Sequence, residues 1–375
     1  MLDFELTATD ADSRARTGRL TLRSGTVTTP VFLPVASRGT VRGLTAAQVR
    51  DTGAEMILGN AYHLALRPGA DRVAELGGLH RFMAWDGPIL TDSGGYQVFS
   101  LAQHRRIGDD GVQFRSPVDG AEIFLGPDEC MGIQQRIGAD VAMVLDQCPP
   151  YPCSRQEART AVERTLRWAQ ACRDAHQRED QALFGIVQGG IHEDLRERSA
   201  RRTVDMGFDG YAVGGVSVGE EEELRRRAVD AAVPCLPRDR PRYLMGVGFP
   251  VDLVYAVGQG MDMFDCVAPT RMGRNATAFT PEGRLRLRNS GFKDDARPVQ
   301  DGCGCPCCRL YSRAYVRHLF KADEMLGPIL LSIHNLTFYA RLIADARGAV
   351  ERGQFARFRD RFIRRYRTGR GAGRR

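Results

Sequence analysis

The chain has 375 residues, of which 43% are hydrophobic and 26% charged, so it is long enough for one large folded domain and a smaller one. No apolar run approaches the length of a membrane span, and residues 1–16 lack the layout of a signal peptide, which predicts a cytoplasmic protein. The net charge of +7 is compatible with a polyanionic partner but does not identify one, and the ten cysteines are better explained as thiols or metal ligands than as disulfides.

Short apolar runs alternate with amphipathic stretches along most of the chain. Eight runs are typical of buried parallel strands, at 30–36, 55–61, 88–94, 140–147, 183–190, 210–216, 243–248 and 261–267. The amphipathic stretches at 154–178, 192–207 and 220–233 have helical periodicity. Strands that alternate with helices in this way predict an α/β protein, and eight units predict a (β/α)8 TIM barrel.

Polar residues and glycines follow the carboxyl ends of these predicted strands. They are Asn60, Asp92, Asp146, Gln188, the Gly214-Gly215 pair, Gly248 and Asp265. A single aspartate at a strand end is usually structural, whereas three at corresponding places in one barrel indicate a pocket. Barrel enzymes build their active sites at this face, so we expect the pocket to be functional.

A cysteine cluster lies after the last predicted strand. Cys303, Cys305 and Cys308 form a C-x-C-x2-C pattern, and His334 at the start of a helix-like stretch is a candidate fourth ligand. Cys307 is an alternative fourth ligand, although adjacent Cys307 and Cys308 would have difficulty reaching two corners of one tetrahedron. Four protein ligands and no open position predict a structural zinc ion, with an iron–sulfur cluster as the weaker competitor.

Two further segments do not fit a simple barrel. Residues 1–29 alternate like a β-hairpin region, and residues at about 98–125 have the pattern of an inserted β-ribbon. We therefore divide the chain into four parts. These are the hairpin region (1–29), the barrel with its ribbon (30–270), a zinc-binding subdomain (271–345) and a C-terminal helix with a basic tail (346–375).

Seven motifs, in order over most of the chain, together resemble the tRNA-guanine transglycosylases, in particular the bacterial type. They are TDSGGYQVFSL, LDQC, GIVQGG, YAVGGVSVGE, YLMGVG, MFDCVAPTR and the cysteine pattern with a histidine 26 residues on. The resemblance implies a pentosyltransferase of queuosine biosynthesis. Such an enzyme exchanges the wobble guanine of tRNAs with GUN anticodons (Asp, Asn, His and Tyr) for 7-aminomethyl-7-deazaguanine (preQ1). It also implies a barrel with one structural Zn²⁺ per chain and a homodimer.

The resemblance assigns the chemistry to two strand-end carboxylates. Asp265 is implied to be the nucleophile that forms a covalent tRNA–aspartyl intermediate, as carboxylates do in retaining glycosidases. Asp92 is implied to be the general acid and base, since the departing guanine needs a proton and the incoming base must lose one.

Base binding is also implied by matching positions. Asp146 and Gln188 match side chains that hydrogen-bond the purine edge, and the backbone of Gly215 is implied to face the base. Tyr96 and Met245 match residues on either side of the purine ring, as expected for a base taken out of its stack.

The remaining matches concern base selection and RNA contact. Cys148 and Val218 are typical of bacterial members, and Glu220 matches a residue that reads the aminomethyl group through the backbone. Arg271 and Arg274 are candidate contacts to a tRNA anticodon loop. The Arg-rich tail either attracts phosphates non-specifically or is a solvated, disordered end.

Three other functions are compatible with parts of this pattern. A non-catalytic accessory subunit of the same superfamily would not need both Asp92 and Asp265. A sugar hydrolase could use a carboxylate pair, but the only two tryptophans, Trp85 and Trp168, are not at strand ends. A zinc-stabilised RNA-binding protein would leave the strand-end carboxylates without a purpose. Release of a base from RNA distinguishes all three from a transglycosylase.

Overall fold

The computed structural model describes residues 2–97 and 105–369. The chain begins with a three-stranded antiparallel sheet in the order β1-β2-β3. Its strands are β1 Asp3–Thr9, β2 Arg16–Leu22 and β3 Gly25–Thr29. The predicted hairpin region therefore contains one strand more than a hairpin, because β1 pairs with β2 as well as β2 with β3.

Eight parallel strands follow and form the centre of the molecule. They are β4 Val31–Leu33, β5 Ile57–Asn60, β6 Ile89–Asp92, β10 Val141–Met143, β11 Ala182–Val187, β12 Gly210–Val213, β13 Arg242–Leu244 and β14 Met263–Asp265. From β5 to β14, each of these strands pairs with the next one in chain order, and β14 pairs back with β4. A bridge between Val35 and Leu58 brings β4 and β5 together, so the sheet closes.

The closed sheet confirms the predicted barrel and all eight predicted strands. The strand residues are buried apart from Asp265, which is partly exposed, in agreement with apolar runs covered on both faces. The strands are shorter than the apolar runs, because the last residues of most runs leave the ladder and form loops at the carboxyl ends. Those loops carry the polar residues of the candidate site.

Helices surround the barrel and continue beyond it. They are α1 Ala46–Asp51, α2 Ala61–Leu66, α3 Ala70–Glu75, α4 Gly78–Met83, α5 Pro127–Ile137, α6 Arg155–Ala175, α7 Glu193–Asp205, α8 Glu222–Ala232, α9 Pro250–Gly258 and α10 Ala268–Arg274. The predicted helices correspond to α6, α7 and α8. The start of α6 is set by a capping box between Ser154 and Glu157, which satisfies two backbone N–H groups.

The inserted ribbon is a separate three-stranded antiparallel sheet of β7 Arg106–Ile107, β8 Val112–Arg115 and β9 Glu122–Leu125. Residues 98–104 of the predicted insertion lie outside the described residues. The β7–β8 turn is attached to α6, because the Trp168 indole N–H donates to the carbonyl oxygen of Asp109 at 2.6 Å. The Asp109 carboxylate also accepts from Arg164 and Arg167.

The C-terminal part contains a β-hairpin, the cysteine segment and two long helices. Its elements are β15 Thr277–Thr280, β16 Gly283–Arg286, α11 Pro306–Leu310, α12 Arg313–Lys321, α13 Leu326–Glu351 and α14 Phe355–Thr368. Helix α13 continues across position 345, and the boundaries of the proposed subdomains stay predictions. In the described part of the chain, no helix combines the length and the apolar character needed to cross a membrane.

The N-terminal sheet is fixed to the amino ends of the barrel strands. Arg16 forms a buried ion pair with Asp262, next to the start of β14. The N–H of Ser24 donates to Asp140, next to the start of β10, and the N–H of Thr28 donates to Glu55. The carboxyl ends of the strands are therefore the end of the barrel that this sheet does not occupy.

We expect Arg16→Met to lower the free energy of unfolding by about 3–5 kcal/mol, since it leaves the buried Asp262 carboxylate without its cation. Urea unfolding of the purified chain measures the effect. Arg14→Met is the control: Arg14 lies in the same region and bonds Gln259 at the surface, so its loss should cost less than about 0.5 kcal/mol. Equal losses of unfolding free energy in the two variants would show that the Arg16–Asp262 ion pair does not anchor the sheet.

Candidate active site and metal centre

A cavity of about 360 Å³ opens among the loops at the carboxyl ends of the barrel strands. Nine of the residues with predicted roles line it: Asp92, Tyr96, Asp146, Cys148, Gly215, Val218, Met245, Asp265 and Arg271. Gln188 is fully buried behind Gly215, and Arg274 follows Arg271 by one helical turn on α10. The structure therefore brings together residues that are up to 179 positions apart (Asp92 to Arg271).

Asp265 ends β14, and its carboxylate is held on one side only. Its Oδ1 accepts hydrogen bonds from the Tyr243 hydroxyl at 2.6 Å and from the Gly246 N–H at 2.7 Å. Its Oδ2 has no hydrogen-bond donor among the described residues. Burial raises the pKa of Asp265, and the two hydrogen bonds oppose that rise. One oxygen is thus fixed while the other remains available for reaction.

Asp92 ends strand β6 and accepts a hydrogen bond from the side-chain amide of Asn60, at the end of the adjacent strand β5, at 3.0 Å. Burial, together with the negative charges of Asp146 and Asp265, raises the pKa of Asp92 to about 7, against backbone hydrogen bonds that lower it. A carboxyl group with this pKa exchanges protons near neutral pH. That property suits a general acid and base.

Asp146 is the third carboxylate of the cavity. It accepts a hydrogen bond from Gln188 Nε2 at 2.5 Å, and burial raises its pKa to about 6 against that hydrogen bond. The other polar atom of Gln188, Oε1, is buried and has no partner among the described residues. A buried amide with an unpartnered atom is costly unless a ligand pairs with it, so this pair is suited to bind a polar edge.

Two glycines permit the close approach of these loops. A Cβ at Gly95 would lie 2.6 Å from the carbonyl oxygen of Asp146, and one at Gly215 would lie 2.0 Å from Gln188 Oε1. Gly215 also has φ +62°, a conformation that side chains disfavour. Any larger residue would displace Asp146 or Gln188, so these glycines determine the shape of the cavity.

The walls of the cavity are apolar or weakly polar. Tyr96 is 47% exposed and Met245 is half-buried, so both have surface available to a planar ligand. Burial raises the pKa of the Cys148 thiol to about 12, so it is a neutral, space-filling group. The nearby turn is fixed by Glu220, whose carboxylate accepts from the backbone N–H groups of Ser217 and Val218.

Arg271 and Arg274 lie on α10, directly after β14. Arg271 is exposed at the edge of the cavity, and Arg274 is half-buried with its Nη1 unpartnered among the described residues. Burial lowers the pKa of Arg274, and the positive charges of Arg42 and Arg271 lower it further. Positive charge at this edge, without an ion-pair partner in the described part of the chain, favours an anionic ligand.

The metal-ligand prediction is supported by geometry. The sulfur atoms of Cys303, Cys305 and Cys308 and a nitrogen of His334 lie within 4.8 Å of one another, and all four residues are buried. His334 Nε2 is 2.9 Å from the carbonyl oxygen of Phe279, so it carries the proton and Nδ1 presents a lone pair to the sulfurs.

Cys307 is buried but is not part of this group, so the alternative ligand set is not the one that the fold assembles. Three thiolates and one imidazole fit tetrahedral zinc with no open position. The cluster is therefore consistent with a structural zinc ion and not with a metal that takes part in the reaction.

Helix α13 connects the metal centre to the active site. His334 lies on this helix, and the adjacent Asn335 donates to the carbonyl oxygen of Pro269 at 2.8 Å and to that of Thr277 at 3.0 Å. Its Oδ1 accepts from the N–H of Phe279. These contacts attach α10, which carries Arg271, to the helix that presents the histidine ligand.

Comparisons with known proteins identify the family of the chain. Residues 10–368 match the family model for queuine tRNA-ribosyltransferase. The chain belongs to this family. It is 54% identical over 365 residues to a queuine tRNA-ribosyltransferase of Pelotomaculum thermopropionicum, covering 97% of this chain and 99% of that protein. A relative with the same name from Stenotrophomonas maltophilia is 55% identical over 364 residues, and one from Symbiobacterium thermophilum 53% over 367.

Several residues that shape this transferase site carried no assigned role in the sequence. Tyr243 lies in the strand of the YLMGVG motif. A tyrosine in a buried strand needs an acceptor for its hydroxyl, and here that acceptor is Asp265 on the adjacent strand β14. Asn335 directly follows the predicted ligand His334, which was the only local signal for it. Arg196 is fully buried behind the glycine loops, although it lies in a helix rich in exposed arginines.

Cys303→Ser is expected to abolish stoichiometric zinc binding and to lower the unfolding midpoint by on the order of 10 °C, because the metal organises the loop before α13. Metal content and thermal unfolding are the measurements. Cys307→Ser is the matched control and should retain one zinc ion per chain. Loss of zinc from the Cys307 variant, or an unchanged midpoint after Cys303→Ser, would contradict the ligand set or its structural role.

A second prediction concerns pH. The pKa of Asp92 is about 7 in the folded chain and near 3.8 when unfolded, so the folded state binds more protons between these values and loses stability as pH rises. Relative to wild type, Asp92→Asn should therefore gain roughly 1–3 kcal/mol of unfolding free energy between pH 5 and pH 8. Urea unfolding across this range tests it, with the exposed Asp360→Asn as control. If the unfolding free energies of wild type and Asp92→Asn differed by the same amount at every pH, the raised pKa of Asp92 would be refuted.

Proposed function

We propose that this chain exchanges the wobble guanine of tRNAs with GUN anticodons for 7-aminomethyl-7-deazaguanine, through a covalent tRNA–aspartyl intermediate. The observation that carries this proposal is the asymmetry of Asp265: two donors hold Oδ1, whereas Oδ2 has no donor among the described residues. Two further carboxylates line the same cavity. Membership of the queuine tRNA-ribosyltransferase family supports a tRNA and a purine base as the reactants.

In the first step, Oδ2 of Asp265 attacks C1′ of the ribose as the bond to the guanine nitrogen breaks. The hydrogen bonds from Tyr243 and Gly246 to Oδ1 favour the ionised carboxylate and fix its orientation. The transition state has oxocarbenium character, which a nearby carboxylate stabilises. The product of this step is a ribosyl ester of Asp265.

Asp92 would act as the general acid in the first step and as the general base in the second. Its pKa of about 7 allows it to give a proton to the departing guanine and then to take one from the incoming base. The incoming base attacks the same carbon and releases Asp265. Two displacements at one carbon give net retention of configuration.

Recognition of the base would use the groups behind and beside these carboxylates. Asp146 accepts from donors on the purine edge, Gln188 and the Gly215 backbone bind the same edge, and Tyr96 and Met245 contact the faces of the ring. Cys148 and Val218 narrow the cavity and favour the aminomethyl base over bulkier queuine. Glu220 would select the aminomethyl group through the backbone turn that it holds.

The tRNA would reach the cavity through its anticodon loop, with Arg271 and Arg274 as the contacts nearest the reacting nucleotide. We further propose a homodimer and a cytoplasmic location, where unmodified tRNA is available.

Exchange of radiolabelled guanine into an unmodified GUN-anticodon tRNA tests the proposal directly. Wild type should incorporate label, and Asp265→Asn should lose at least about 10³-fold in rate because an amide cannot form the ester. Denaturing electrophoresis should detect a tRNA–protein adduct with wild type and not with the variant.

Tyr243→Phe is the matched control, because it removes a donor to Asp265 but keeps the nucleophile. It should retain exchange, with the acidic limb of the pH–rate profile moved to higher pH, since its hydrogen bond lowers the pKa of Asp265. Incorporation by Asp265→Asn at the wild-type rate would assign the nucleophile elsewhere. No incorporation by wild type, with tRNA still bound, would indicate a binding subunit.

A further inference from the structure

Arg196 is a fully buried cation whose hydrogen bonds go to backbone carbonyl groups. It lies on α7, behind the loops that follow β11 and β12. Its guanidinium donates to four carbonyl oxygens: those of Val187 at 3.0 Å, Gly190 at 2.9 Å, Gly214 at 2.6 Å and Gly215 at 2.9 Å. One side chain thus joins the two glycine loops that border the base side of the cavity.

The charge of Arg196 has no ion-pair partner among the described residues. Burial lowers the pKa of Arg196 to about 10, so the group remains protonated at neutral pH. A buried cation without a carboxylate is costly, and four carbonyl dipoles offset that cost only if they stay aligned with it. The four hydrogen bonds therefore fix the orientation of both loops as well as that of the Arg196 side chain.

The hydrogen bond from Arg196 to the carbonyl oxygen of Gly214 also determines the direction of the Gly215 N–H. That peptide is trans and planar, so its carbonyl oxygen and the N–H of Gly215 point in opposite directions. With the oxygen held by Arg196, the N–H of Gly215 is directed away from Arg196. Gly215 lines the cavity, and its backbone N–H donates to no acceptor among the described residues.

We propose that Arg196 is a positioning residue, which holds and polarises the Gly214–Gly215 peptide so that the Gly215 N–H donates to the 6-oxo group of the purine base. This inference rests on the proposed function. Along one edge of guanine, two N–H donors stand beside the carbonyl oxygen. Asp146 can accept only from the donors, so the oxygen requires a donor of its own.

The same contact would assist departure of guanine. Negative charge that develops on the leaving base spreads to its carbonyl oxygen, and a fixed N–H beside a buried cation stabilises charge there. Proton transfer from Asp92 and this hydrogen bond would then act on different atoms of the same leaving group.

The test compares two bases that differ in one atom, guanine and 6-thioguanine, whose sulfur is a weaker acceptor. Inhibition constants against labelled exchange are measured for wild type and Arg196→Lys, which keeps the charge but cannot span four carbonyls. Wild type should bind guanine about three- to tenfold more tightly than 6-thioguanine, and the variant should lose most of that preference. Its affinity for tRNA should be unchanged.

Arg242→Lys is the matched control. Arg242 is also a buried arginine that donates to carbonyl oxygens, those of Leu236 and Pro237, but it lies at the amino end of β13, away from the cavity. Both variants should lose stability. Only Arg196→Lys should lose discrimination between the two bases, which a merely structural role would not produce.

Two outcomes would overturn the inference: unchanged discrimination in a folded Arg196→Lys protein, or no discrimination in a wild type that performs exchange. Should Arg196→Lys fail to fold, hydrogen exchange of the wild-type Gly215 amide replaces it. Guanine should protect that amide more than 6-thioguanine does, and equal protection would overturn the inference. Absence of exchange by wild type would instead refute the proposed function.

Discussion

The structure depends on three carboxylates that share one cavity, where no described residue supplies a cation to any of them. Asp92, Asp146 and Asp265 form no ion pair with a residue in the described part of the chain. Neutral donors hold them instead, from Asn60 and Gln188 among others. Such donors only partly offset the cost of burial, and Asp92 is also repelled by the other two charges, so the pKa values of all three stay raised. This electrostatic cost is what keeps one carboxyl group near its titration point at neutral pH.

At the opposite end of the barrel, the buried carboxylates do have partners. There Asp262 is paired with Arg16, and Asp140 accepts from His80 and from backbone N–H groups. These paired groups at the amino ends fix the N-terminal sheet to the barrel, and both carboxylates are occupied by their partners. Stability and reactivity are therefore located at different ends of the same strands, as is general for this architecture.

The sequence was sufficient for the barrel, the strand-end carboxylates and the metal ligands, because each has a local signal in apolar runs, polar strand ends or close cysteine spacing. Arg196 was missed because its helix also carries the exposed Arg198, Arg201 and Arg202. Its position on the stripe of Ser199 and Thr203 was the available signal. Tyr243 and Asn335 act through partners distant in sequence, which periodicity cannot identify.

The metal centre and the carboxylates are attached to the fold through different elements. Asp265 is held by Tyr243 and Gly246, which belong to the barrel itself, whereas α10 with Arg271 depends on Asn335 of α13. Helix α13 also places His334 among the cysteines, so the metal segment and the helix that carries Arg271 are attached to the same element. The zinc ion would thus support the approach of RNA more than the geometry of the displacement, in keeping with a closed coordination shell that offers no site to a substrate.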